Sequence, residues 1–141
     1  MKKLLILLGC IALPILMSCD REVEYDQMYS AEYDIRSSDW AWVDSYYTVA
    51  LDVKQITRQV CSTGSVQCFI VYSDGSQACL PLQRYLSYEY TDEAGQTATG
   101  YYSKMIDFEY GVGTVNIFYQ ISDFYYEESP EAIRIRVVVH Y

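Results

Sequence analysis

The stretch "VNIFYQI", residues 115–121, decides the reading of the fold. Val115, Ile117, Tyr119 and Ile121 share one parity, against Asn116, Phe118 and Gln120 on the other. A period of two marks a β-strand with one face against a core, because successive side chains leave a strand on opposite sides. "IRIRVVVHY", residues 133–141, repeats the pattern with Ile133, Ile135, Val137 and Val139 inward and Arg134 and Arg136 outward.

Working outward, turn signals divide the rest of the chain into similar pieces. Further strands are expected over 40–53, with Tyr47, Val49, Leu51 and Val53 on one face, and over 66–72, 77–80, 85–91 and 99–110. "SDGS" at 73–76 holds Asp-Gly, a strong hairpin signal. "DEAGQ" at 92–96 and "YGVG" at 110–113 break the chain again, and Pro81 ends the strand before it. One helical turn is expected at 56–61, with Thr57 as cap and Gly64 as stop. Nothing after residue 38 keeps a helical period. The expectation is an all-β fold, an antiparallel β-sandwich of about seven strands, immunoglobulin-like in kind, forming a single domain over 39–141.

The first 38 residues read differently. Lys2 and Lys3 precede an apolar run over 4–16, and small Ser18 precedes Cys19. That is the layout of a secretory signal peptide, here 1–18. At ~1.5 Å per residue the run spans roughly 20 Å, short of the ~30 Å hydrocarbon core of a bilayer. "LMSC" at 16–19 resembles the lipobox of bacterial lipoproteins. That resemblance implies cleavage before Cys19 and lipidation of its thiol, with acyl chains as the membrane anchor. The plain alternative is an ordinary signal peptide with an incidental cysteine. Asp20, Glu22, Glu24 and Asp26 follow at once, and 19–38 reads as an acidic tether. It resembles the acidic export signal of surface lipoproteins of Bacteroidota, which implies the outer face of the outer membrane. The periplasmic face is the alternative, with the tether then a solvated spacer.

Charge narrows the partners. The chain carries net −9, and loss of Lys2 and Lys3 with the leader leaves 8 bases against 19 acids, net −11. Nucleic acid and anionic lipid both want a basic surface, so neither is expected as a partner beyond the lipid anchor itself. Of five cysteines, Cys61, Cys68 and Cys79 remain after cleavage and lipidation. An odd number leaves at least one thiol unpaired within the chain. Cys61 would face Cys68 if Gly64-Ser65 formed a tight turn, and Cys68 and Cys79 share apparent parity around Asp74-Gly75. Three small buried residues are the other reading.

"DWAWVDSYYTVALDVKQITRQV", "GSVQCFIVYSDGSQACLPL" and the closing "VNIFYQISDF…PEAIRIRVVVHY" together resemble small hypothetical lipoproteins of Bacteroidota gut bacteria. The resemblance rests on core and turn positions. It implies a β-rich fold and an envelope address, and no activity.

Catalytic constellations are not evident. His140 is the one histidine, and its spacing from the cysteines matches no zinc pattern. No cofactor, no metal and no enzymatic activity are expected. Binding is the sharper expectation, because exposed aromatics stack on sugar rings. Trp40, Trp42, Tyr101, Tyr102, Phe124, Tyr125 and Tyr126 are the candidates, the last three in the loop "DFYYEE". Tyr and Trp are also good strand formers that line cores. The chain therefore reads as a lipid-anchored, non-catalytic binding or accessory protein, glycan-related, with a glycan or envelope protein as partner. The alternative is a structural component that pairs with a partner through the last strand, were that strand at an edge.

Overall fold

The alternation in the two deciding stretches is resolved into two packed sheets. The computed structural model describes residues 27–122 and 129–141. Its elements are β1 (Met28–Ile35), a 3-10 turn (Ser37–Asp39), β2 (Ala41–Val43), β3 (Tyr46–Asp52), α1 (Arg58–Thr63), β4 (Ser65–Val71), β5 (Gln77–Cys79), β6 (Leu82–Thr91), β7 (Thr97–Gly111), β8 (Thr114–Ile121) and β9 (Ile133–His140). The protein is an all-β antiparallel sandwich. Sheet A has the order β1-β9-β4-β5 and sheet B the order β2-β3-β8-β7-β6.

The crossings explain how the layers hold together. β3 and β4 are consecutive but lie in different sheets, and they pair with β8 and β9, which are also consecutive. Neither sheet can slide without disturbing the other. Ile35, Val66, Cys68, Ile70, Ile135, Val137 and Val139 from sheet A meet Tyr47, Leu51, Val115, Ile117 and Tyr119 from sheet B. Each fully buried Val or Ile contributes about 1.5–3 kcal/mol. Val53, Ile56, Val60 and Leu80 extend the same core.

The helical turn forms as its residues dictate. Thr57 caps α1 by accepting from the Val60 amide at 3.3 Å, and the Gly64 amide closes it on the Val60 carbonyl at 2.9 Å. An added Cβ at Gly64 would collide with the carbonyl oxygen of His140, so the close approach of α1 to the end of β9 needs glycine.

Several expectations change. The described residues form nine strands, not seven. The strand expected over 40–53 is two, β2 and β3, folded back at Asp44-Ser45 with Val43 opposite Tyr46. Asp44 takes φ 52°, the left-handed region that Asp tolerates better than most residues. The stretch expected as tether becomes a strand at Met28, so the sandwich begins before residue 39. Glu32 and Asp34 stand opposite Arg136 and Arg134, and their charges serve cross-strand pairing. β9 is not an edge strand: β1 covers one side and β4 the other. The two arginines are therefore not guards of an open edge. Arg134 pairs with Asp34 at 2.7 Å, and Arg136 lies 4.8 Å from the Phe69 ring centroid.

The cysteines also resolve. Cys61 lies on α1, so no tight turn brings it opposite Cys68. Phe69 is the register partner of Cys79, which sets Cys68 one residue out of step with it. Cys61, Cys68 and Cys79 are free thiols, and Cys68 is buried. Burial first, and then the nearby Cys79, push the Cys68 thiol up to about 12.

Candidate functional site: a tyrosine-lined cleft

The longest strand pairing among the described residues is the β6–β7 hairpin, which runs from Leu82↔Ile106 to Thr91↔Thr97. β8 meets β7 only from Lys104 onward. The outer part of the hairpin therefore runs past its neighbour as a two-stranded ribbon. One face of the ribbon continues the core face of sheet B. On it the register sets Leu82, Arg84, Leu86, Tyr88 and Tyr90 against Ile106, Lys104, Tyr102, Gly100 and Ala98.

That face walls a cleft of about 910 Å3 between the sheets. Ile70 and Val71 of sheet A, with Tyr72 just past the end of β4, and the segment Ser129 to Arg134 complete its lining. The volume falls within the range common for small-ligand sites. The lining mixes apolar side chains with a few polar ones, as such sites require.

Aromatic rings give the cleft a platform. Tyr88 lies 5.9 Å, centroid to centroid, from both Tyr90 and Tyr102. A Cβ built on Gly100 would fall 2.5 Å from Tyr88 Cζ and 2.7 Å from Cε1. Glycine at 100 thus lets the Tyr88 ring lie across the neighbouring strand. Tyr88 and Tyr90 remain 48% and 47% exposed, which leaves ring surface free to meet a ligand.

Polar groups surround the platform. Arg84 Nη2 donates to the Tyr72 hydroxyl at 3.0 Å, bridging the two sheets. Lys104 Nζ stands 5.9 Å from the Tyr102 ring centroid. Burial disfavours the Lys104 charge most, but Tyr119, Tyr102 and Glu131 outweigh it, and the lysine pKa rises above its ordinary value. Burial is likewise the main reason the Tyr119 hydroxyl titrates above its usual range, against the pull of Lys104. The site holds its lysine charged and its tyrosine neutral. It offers ring faces, hydroxyls, three cations (Arg84, Lys104 and, at the rim, Arg134) and the Glu131 carboxylate.

The residues singled out from sequence fare unevenly. Trp40 is only 7% exposed and packs at 6.1 Å from the Tyr119 ring in the core, so it has no face to offer a ligand. It follows the 3-10 turn, whose Asp39 carboxylate accepts from the Arg36 amide at 2.8 Å, and that turn aims it inward. Trp42 is 37% exposed on β2 and stands edge-on to Tyr47 at 4.9 Å, outside the cleft lining. Cys19, Phe124, Tyr125 and Tyr126 lie outside the described residues. Tyr102, a candidate from the sequence, lines the cleft, whereas its neighbour Tyr101 is 77% exposed on the ribbon's other face. The cleft residues Tyr88, Arg84 and Lys104 were missed in the sequence. The available signal was the run of tyrosines on both arms of one hairpin, Tyr85 to Tyr90 and Tyr101 to Tyr102.

Among the described residues no three His, Cys, Asp or Glu side chains gather as a metal site, and no helix is long and apolar enough to cross a membrane. Compared with protein-family models, with curated proteins and with solved structures, the chain has no match in any of the three.

Proposed function

We propose that this is a non-catalytic binding protein, lipid-anchored through Cys19 to the outer membrane and facing outward, whose β-sandwich takes a saccharide in the hairpin cleft. The observation that carries the reading is the Tyr88–Tyr102 platform beside Arg84 and Lys104. Sugar rings present apolar C–H faces and equatorial hydroxyls. Tyrosine rings stack on the first, and guanidinium, ammonium and carboxylate groups bond the second. The address is supported by the Lys2-Lys3 start, the apolar run and the Cys19 lipobox.

A glycan panel probed with the purified protein tests the binding reading, with Tyr88→Ala and Tyr102→Ala beside it. Saccharide binding that both variants lose supports it. Binding unchanged in both moves the site elsewhere. For the address, protease shaving of intact cells is run beside a Cys19→Ala variant. Loss of signal from wild-type cells supports the outer surface, and protection until lysis favours the periplasmic face.

A specific observation favours assembly through strand pairing as a second reading. β6, ten residues long, is an edge of sheet B, and Tyr85 and Tyr101 on the ribbon's other face are 78% and 77% exposed. Concentration-dependent association abolished by a proline at Ser87 supports it, whereas a monomer at all concentrations removes it.

A further inference from the structure

Two positive charges are set directly opposite each other in the cleft. Arg84 and Lys104 are register partners on the ligand-facing side of the hairpin. Like charges in that position repel and destabilise a sheet. Every other pair on this face of the hairpin is uncharged: Leu82↔Ile106, Leu86↔Tyr102, Tyr88↔Gly100 and Tyr90↔Ala98. The molecule could relieve the repulsion with carboxylates, and it does so elsewhere. Arg134, at the cleft rim, is held by Asp34 at 2.7 Å and Glu32 at 3.7 Å.

Arg84 and Lys104 are supported differently. Among the described residues, the Arg84 contact is the Tyr72 hydroxyl, and Lys104 stands 5.9 Å from the Tyr102 ring centroid, with Tyr119 and the Glu131 carboxylate favouring its charge. Hydroxyls and rings aim a cation without neutralising it. One guanidinium nitrogen is engaged by Tyr72, which leaves the rest of its donor fork for an incoming acceptor. A chain of net −9 thus keeps two cations side by side on an aromatic platform, neither in a salt bridge among the described residues.

We propose that the cleft selects anionic saccharides, seating a carboxylate or sulfate between Arg84 and Lys104 while the sugar ring bearing it stacks on Tyr88 and Tyr102. This rests on reading the cleft as a saccharide site. Carboxylate and sulfate share the chemistry of a compact oxyanion, and the binding experiment separates them.

Calorimetric titration of the purified full chain uses three probes: an oligogalacturonate, its methyl ester, and a heparin-derived sulfated oligosaccharide. The ester keeps the rings and removes the charge. The expected result is binding of an acidic probe at least about tenfold tighter than the ester, the size of one charge-assisted hydrogen bond. That preference disappears in Arg84→Gln and in Lys104→Gln, survives in Arg84→Lys, and weakens with added salt. Tyr88→Ala weakens acid and ester alike. Preference for the sulfated probe over the galacturonate supports the proposal with sulfate as the anion. Equal affinity for acid and ester overturns the anion pair and leaves the saccharide cleft standing. No binding of these probes or of a neutral glycan panel overturns both.

Discussion

The ring of Tyr88 lies across the backbone of Gly100 on the neighbouring strand, so close that a methyl group at 100 would occupy the space of the ring. Glycine weakens a strand interior, and an aromatic ring laid over it recovers contact that the missing side chain gives up. The arrangement also fixes the platform of the cleft. Gly100→Ala is therefore expected to turn the Tyr88 ring out and reduce saccharide affinity by about tenfold, equivalent to ~1.4 kcal/mol. The sandwich itself should keep its melting temperature within a few degrees, since the ribbon lies past β8. Parallel binding and melting curves check both halves.

The tight turn between β2 and β3 holds Asp44 in the left-handed region. A β-branched residue pays the full steric penalty there, roughly 1–2 kcal/mol. Asp44→Val should lower stability by about that much, while Asp44→Gly should change it by only a few tenths of a kcal/mol. Urea titration of the two variants distinguishes them.

Ile117 is fully buried at the centre of β8 and faces Val49 and Phe108 across its two neighbours. Ile117→Ala leaves a cavity that two interlocked sheets cannot close. The expected cost is about 3 kcal/mol. Phe118→Ala, one residue away on the outer face beside Tyr46, should cost less, because its ring is only half-buried. Chemical denaturation of both proteins gives the comparison.

Alkaline pH should loosen the fold through two groups. Cys68 is raised from 9.0 to about 12, chiefly by burial, with Cys79 adding to it. Tyr33, whose hydroxyl donates to the Asp52 carbonyl at 3.3 Å, is raised from 10.0 to about 12, by burial first and then by its Tyr29 and Asp52 neighbours. Both groups are held neutral in the folded state. A raised folded pKa gives stability that is complete below the unfolded value and lost as pH climbs through the folded one. Thermal melts should therefore fall between pH 9 and 12. Cys68→Val should flatten the lower part of that decline. Iodoacetamide at pH 8 should label Cys61 and Cys79 in the native protein and reach Cys68 only on unfolding.

Much of the sandwich was legible because its strands announce their own inner faces. β8 and β9 alternate cleanly, Asp74-Gly75 turns the β4–β5 hairpin, and Thr57 caps α1. What was hidden depends on partners far away in the chain. β1 alternates only Tyr29, Ala31, Tyr33 and Ile35 against polar residues, and its acids make sense only beside Arg134 and Arg136 of β9. The place of β9 in the middle of its sheet is a property of strand order, which periodicity does not carry. Trp40 reads as an exposed aromatic until the preceding 3-10 turn points it inward. The cleft depends on register: one residue of slip between β6 and β7 would send Tyr88 and Tyr102 to the opposite face.

β9 is the last strand in chain order, yet its lane lies between β1 and β4. While a ribosome is still adding residue 130, every strand of sheet B exists, and sheet A is two separate pieces with a gap between them. β1 has no partner at that moment, and β4 shows Val66, Cys68 and Ile70 with one flank unpaired. The eight residues from Ile133 to His140 then act as a clasp. They close the layer in one late event, so a chain stopped a few residues short would keep most of its sequence and lose half of its architecture.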